Sequence, residues 1–134
     1  MNDPLVAVVV PVFNGAQHLG ECLESLLAQT YSNWRGLVMD NCSSDGTGAI
    51  ADEFARRDQR LRVVHCDKFV GRQENYNRAV AQADAEAEYI KVLEGDNWIT
   101  EDCLDRTVRL AQKDATIGIV SSYWLRDRYP QGEG

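Results

Sequence analysis

"LVAVVVPVF", residues 5–13, is apolar at every position and then stops at Asn14 and Gly15. A strand with one face in water alternates apolar with polar residues, so an unbroken run means that both faces are covered. Parallel sheets sandwiched between helices meet that condition. Pro11 removes a ladder N–H and marks the end of the strand.

Four further apolar segments are spaced along the chain: "RGLVMD" (35–40), "LRVVH" (61–65), "EYIKVLE" (88–94) and "IGIVSSY" (117–123). Between them the period changes from that of strands to that of helices. Leu19, Cys22, Leu23, Leu26 and Leu27 share one helical stripe, as do Tyr76, Ala79, Val80 and Ala83, and Leu104, Val108 and Ala111. A helix over roughly 46–58 would use Ile50 and Phe54 as core contacts. Thr100 reads as the N-cap of the last helix, with Glu101 and Asp102 in its first turn. Strands alternating with helices predict an α/β fold: a Rossmann-like, doubly wound, mostly parallel sheet in a three-layer α/β/α sandwich. The chain reads as one domain over 1–134, with 126–134 an irregular tail.

With 134 residues, 44% hydrophobic and 26% charged, the composition is that of an ordinary globular domain. A formal net charge of −7 argues against nucleic acid and anionic membranes as partners, since either wants a basic face. Any phosphate-bearing ligand must then be met by local cations, backbone N–H groups or a metal. The four cysteines, 22, 42, 66 and 103, have no metal-site spacing and read as free thiols in a reducing compartment. The first apolar run is too short to span a bilayer, and a cytoplasmic location is expected.

In a doubly wound sheet, ligands bind outside the carboxyl ends of the strands. Polar residues gather there: "PVFNG" after the first strand, "DNCSSDGT" after the second and "EGDN" after the fourth. Phe13 offers a flat face for a base, and Asn14 can cap the following helix. Asp40 ends an apolar strand with a carboxylate able to accept from the imide N–H of a uracil ring; Ser44 or Asp45 would cap the next helix. Glu94 and Asp96, two apart, share one side of an extended segment, and Gly95 lets a ligand approach the backbone. That pair suits an oxygen-seeking divalent cation, Mg²⁺ or Mn²⁺, completed by a diphosphate. In "VGRQENYNRAV" (70–80), Arg72, Asn75, Asn77 and Arg78 could bond a nucleotide sugar or offset phosphate charge. Taken singly, each motif also reads as a capped strand-to-helix turn or a solvated helix face.

Together these stretches, "VVVPVFNGAQHLGECLESLLAQTYSNW" through "VMDNCSSDGT" to "EYIKVLEGDNWI", resemble the family 2 inverting glycosyltransferases of GT-A fold, in the family's order and spacing. The resemblance implies a metal-dependent glycosyltransferase that moves a sugar, with inversion, from a nucleotide-diphosphate donor, a UDP-sugar, to an unknown acceptor. It implies that Asp40 reads the base, that the backbone of Pro11, Val12, Phe13 and Asn14 lines the nucleoside pocket, and that Asp96, with Glu94 as the first acidic position, holds the metal. Arg72 and Asn77 complete the donor-binding set. Glu94 stands where Asp is commoner, Arg35 where Glu is frequent, and Tyr76 where many members carry Arg. The family's acceptor half and catalytic base follow the metal motif by a long stretch. On that comparison this is a truncated member, a fragment or a naturally short protein. The catalytic base is unassigned, Asp127 being the only late carboxylate near a strand end. An open strand-five side would leave apolar surface or be covered in a homodimer. The alternative is a binding module that holds the nucleotide sugar, or serves as an interaction domain, without transfer. A phosphoacceptor regulator or a dinucleotide oxidoreductase fits worse, because "PVFNG" lacks the acids of one and the glycines of the other.

Overall fold

The computed structural model describes residues 3–121. Its elements run β1 (Val6–Val12), α1 (Leu19–Leu27), β2 (Trp34–Asp40), α2 (Thr47–Arg57), β3 (Leu61–His65), α3 (Arg72–Ala81), β4 (Tyr89–Val92) and α4 (Cys103–Ala111). The four strands form one all-parallel sheet in the order β3-β2-β1-β4. The first two crossovers move outward from β1 and the third returns past it. With right-handed connections that reversal switches the helix to the opposite face.

The packing follows this rule. Val6, Val8, Val10 and Val12 face Leu19, Leu23 and Leu26 of α1, Ala51 and Phe54 of α2, and Leu104 and Val108 of α4. Val9, Leu37 and Met39 face the other way, onto Ala79 of α3. Every residue of β1 is buried, as its unbroken apolar run requires. Each such Val contributes roughly 1.5–3 kcal/mol. The fold is the Rossmann-like, three-layer arrangement expected.

Several local expectations are corrected. Residues 117–121 of the fifth expected strand are not a strand, and 122–123 lie outside the described residues, as do the 126–134 tail and Asp127. A strand needs a hydrogen-bonded neighbour. Here 117–120 are separated from the outer side of β4 by a cavity of about 430 Å³, with Ile90, Val92 and Ile119 exposed. The last helix begins at Cys103 with Asp102 as its N-cap, not at Thr100. The Leu104 N–H that would bond the Thr100 carbonyl is taken by Gln29 Oε1 at 3.0 Å, while Gln29 Nε2 donates to that carbonyl at 2.7 Å. The buried Gln29 amide, just past α1, thus takes the bond that would have begun the helix at Thr100, and the turn there is closed instead by the Cys103 N–H donating to the Thr100 carbonyl at 3.0 Å. On α3 the inward stripe is Asn75 and Ala79, and Val80 is exposed. Arg35 donates to Asp84 at 2.6 Å.

Candidate functional site

The reversal of strand order lies between β1 and β4, and the crevice outside their carboxyl ends is where a doubly wound sheet binds ligands. The loops after β1, β2 and β4 do converge there. Asn14, with φ 47°, caps no helix; the N-cap of α1 is His18. Asn14 instead staples two loops: its N–H donates to Ser43 Oγ at 2.9 Å, and its Oδ1 accepts the Ser44 N–H at 2.9 Å. Ser43 N–H in turn donates to Asp40 Oδ1 at 3.2 Å. A continuous chain of hydrogen bonds therefore links the first-strand loop to the acid ending β2.

Asp40 is only 4% exposed. The N-cap of α2 is Gly46, with no side-chain bond; the Asp45 carboxylate one residue earlier accepts the Thr47 N–H and the Ala16 N–H. The Thr47 hydroxyl and N–H hold Asp45 below the usual carboxylate range.

Pro11 and Val12 are buried and reach the site through backbone alone. Pairing of β1 with β4 stops at Val9 and Val92, so the N–H missing from Pro11 faces a side where the ladder has ended. Phe13 stands 49% exposed and meets Phe69, 55% exposed, edge to face with centroids 4.8 Å apart. These rings border the crevice from two separate loops.

The fourth strand end departs from its expected shape. Leu93 and Glu94 leave the strand, and a turn follows, closed by Asn97 N–H donating to the Glu94 carbonyl at 3.0 Å. Glu94 and Asp96 therefore do not alternate along an extended segment. Gly95 is buried against Val12: a Cβ there would lie 2.7 Å from Val12 Cγ2. The glycine makes room for the Val12 side chain at the end of β1. Both Glu94 oxygens are 3.2 Å from Arg72, whose guanidinium also donates to Tyr76 Oη at 3.4 Å. Burial, then bonding to Glu94, raises the Tyr76 phenol. Asp96 is exposed and makes no ion pair among the described residues. Beneath it, burial pushes the Cys22 thiol up to about 12, and Asp96 adds to the shift.

Arg72, Glu94 and Asp96 are thus brought to one loop cluster. Asn77 is not; it accepts from Gln73 on the exposed face of α3. Arg78 and Asn75 are also drawn elsewhere. Arg78 donates to Asn75 Oδ1 (3.0 Å), the Lys68 carbonyl (3.1 Å) and Asn41 Oδ1 (2.7 Å). Asn41, 2% exposed, exchanges two bonds with Val70, at 2.8 and 3.0 Å. This buried network clamps the β3–α3 loop, which carries Phe69, to the end of β2.

Four contributors escape the sequence reading: His65, Phe69, Asn41 and Asp52. His65 had a signal, for "LRVVH" ends in a titratable residue as "VMD" does. Its Nδ1 lies 3.3 Å from Asp40 Oδ2 and its Nε2 2.8 Å from Asp52 Oδ1. No group of three His, Cys, Asp or Glu side chains forms a metal cage among the described residues.

A parallel α/β sheet with helices on both faces, and an aromatic pair, a buried acid and a cluster of charge around its switch point, is a domain of Rossmann-like type. The chain belongs to glycosyl transferase family 2, whose model matches residues 7–130. It is 33% identical over 124 residues to the glycosyltransferase GlyG of Streptococcus pneumoniae, covering 92% of this chain and 40% of that one. S. aureus TarS 1–349 in complex with UDP superposes with a TM-score of 0.72 at 26% identity, over 82% of this chain and 32% of that one. The mannosyltransferase PcManGT from Pyrobaculum calidifontis, in complex with GDP-Man and Mn²⁺, gives a TM-score of 0.78 at 27% identity, over 88% and 35%. The chain spans about a third to two fifths of the length of these relatives. No helix among the described residues is long and apolar enough to cross a membrane.

Proposed function

We propose that this chain is the donor-binding part of an inverting glycosyltransferase that uses a UDP-sugar. The observation that carries the reading is Asp40: a buried carboxylate at the tip of β2, tied through Ser43 to the Phe13–Asn14 loop. Such a group accepts a ring N–H, and the imide of uracil offers one. The base stacks on Phe13, with Phe69 closing the slot from the β3–α3 loop and the backbone of Pro11 to Asn14 lining it. The likeness to a protein complexed with UDP supports the choice of nucleotide.

The diphosphate then runs toward Arg72, Glu94 and Asp96. Arg72 is exposed and its bond to Glu94 is a surface ion pair, weak enough to be exchanged for phosphate oxygens. The donor set fits a substrate-borne Mg²⁺ or Mn²⁺: Asp96 has no competing cation among the described residues, and such ions take one or two carboxylates and draw their remaining ligands from diphosphate and water. Asp96 would hold such an ion, and Glu94 would join it if Arg72 turned to the phosphate. A divalent cation, when bound, supplies charge neutralisation for the leaving diphosphate. In the complete reaction an acceptor hydroxyl attacks the anomeric carbon opposite the leaving group. The new glycosidic bond forms as the sugar–diphosphate bond breaks, and the hydroxyl proton passes to a carboxylate base. No described residue of this chain is assigned that base.

A GDP-sugar is the second reading, favoured by the likeness to the protein complexed with GDP-Man, since guanine N1–H also donates to a carboxylate. The test is calorimetric titration of UDP and of GDP, with Mn²⁺ and with EDTA, into the wild-type chain and Asp96→Ala. Binding that needs Mn²⁺ and weakens in the variant is expected. Absence of binding by both nucleotides in Mn²⁺ overturns the proposal.

A further inference from the structure

His65 ends β3 in register with Asp40, the last residue of β2. Its ring lies between the Asp40 carboxylate and α2, where Asp52 sits on the second turn. Gly48 on the first turn makes the room: a Cβ there would lie 3.2 Å from Asp40 Oδ2 and 3.3 Å from the imidazole. The ring is therefore packed into a shaped gap, half exposed, with a carboxylate at each nitrogen. Nothing in the donor-binding reading above uses it.

The chemistry of that arrangement is restrictive. A neutral imidazole has one N–H. The shorter contact, 2.8 Å to Asp52, claims it, leaving the Nδ1 lone pair facing Asp40 Oδ2 at 3.3 Å, acceptor against acceptor. Only the imidazolium donates to both. The charged groups acting on the ring are Asp52 from α2 and Asp40 from β2, both anionic. The next charges along the loop, Arg78 and Asp67, act on Cys66 instead.

The geometry points to His65 as a positioning residue for the nucleobase: as an imidazolium bridging Asp52 and Asp40, it holds the Asp40 carboxylate in place to receive a ring N–H. This rests on the reading of Asp40 as the group that meets the base. Bonding to Asp52 first, and then to Asp40, raises the imidazole above its ordinary 6.5, against the opposing effect of burial. The sign follows. The bridge is complete below the raised value and is lost as the pH climbs through it, so nucleotide affinity falls toward alkaline pH. Asp52 acts at one remove, by fixing which nitrogen keeps the proton.

The chain has two histidines, so one proton NMR titration, with His65→Asn for assignment, reads the His65 pKa directly. Calorimetry with UDP, and with GDP in parallel, in Mn²⁺ from pH 6 to 8.5 then tests the consequence. In the wild type, affinity is expected to fall about tenfold across the NMR midpoint, the scale of one charge-assisted hydrogen bond. His65→Asn should bind with a flat profile at the weaker level. Asp52→Ala should show a smaller fall centred at lower pH, because a neutral ring is then free to keep its proton on Nδ1. A His65 pKa at or below 6.5, or superimposable profiles for the wild type and His65→Asn, overturns this inference while leaving donor binding intact. Failure of both nucleotides to bind at every pH overturns both readings.

Discussion

Asn41→Ala removes one side chain and strands three partners. The amide accepts the Val70 N–H, donates to the Val70 carbonyl, and accepts from Arg78. Val70 and Asn41 are both buried, so water does not replace the lost bonds without the loop moving. Each orphaned buried backbone group costs about 1–3 kcal/mol, and partial relaxation of the loop brings the two together to about 3 kcal/mol. For a chain of this length that is a fall of about 10 °C in Tm. Urea unfolding followed by far-UV circular dichroism gives the stability directly from the midpoint and slope. Asn41→Asp keeps both acceptor roles and loses only the donor, so its loss should be smaller. A change below about 1 kcal/mol in Asn41→Ala would refute the reasoning, because it would mean that the β3–α3 loop is not held by this clamp.

Three other outcomes can be checked with the same material. Gly95→Ala forces a Cβ against the branched Val12, 2.7 Å from Cγ2 and 2.9 Å from Cβ, so it should destabilise by about 1–3 kcal/mol in the same urea assay and weaken Mn²⁺-dependent UDP binding by displacing Asp96. Phe69→Ala removes one wall of the base slot at an exposed position; UDP affinity should drop about five- to tenfold with little change in Tm, and an unchanged Kd would remove Phe69 from the site. Alkylation at pH 8 with mass-spectrometric mapping should label exposed Cys42 first and spare Cys22, whose thiol is pushed up to about 12 by burial, until denaturant is added.

The two central strands were legible because burial on both faces leaves an unbroken apolar run, a local property of "VAVVVPV" and of "LVMD". The helices of the fuller face were legible for the same reason, through Leu19, Leu23 and Leu26, and through Leu104 and Val108. On helix α3 the expected stripe holds at Ala79 and Ala83 but not at Val80, because Asn75, bonded to the Met39 carbonyl and to Arg78, takes the interior position beside Ala79. The fifth strand failed for a related reason: apolar, β-branched sequence favours a strand, but only a neighbouring edge within hydrogen-bond reach makes one.

The sequence alone determined the α/β order, the right-handed winding that follows from it, and the three polar strand ends where a ligand belongs. Those depend on side-chain period and on chirality, and each is carried by residues a few positions apart. Which polar groups are tied up as struts and which stay open to the crevice was decided only by the tertiary structure. Arg78 and Asn41 meet across 37 residues, Asn14 and Ser44 across 30, His65 and Asp40 across 25. A hydrogen bond is satisfied within a few tenths of an ångström, and no local pattern records which distant loop will supply its other half.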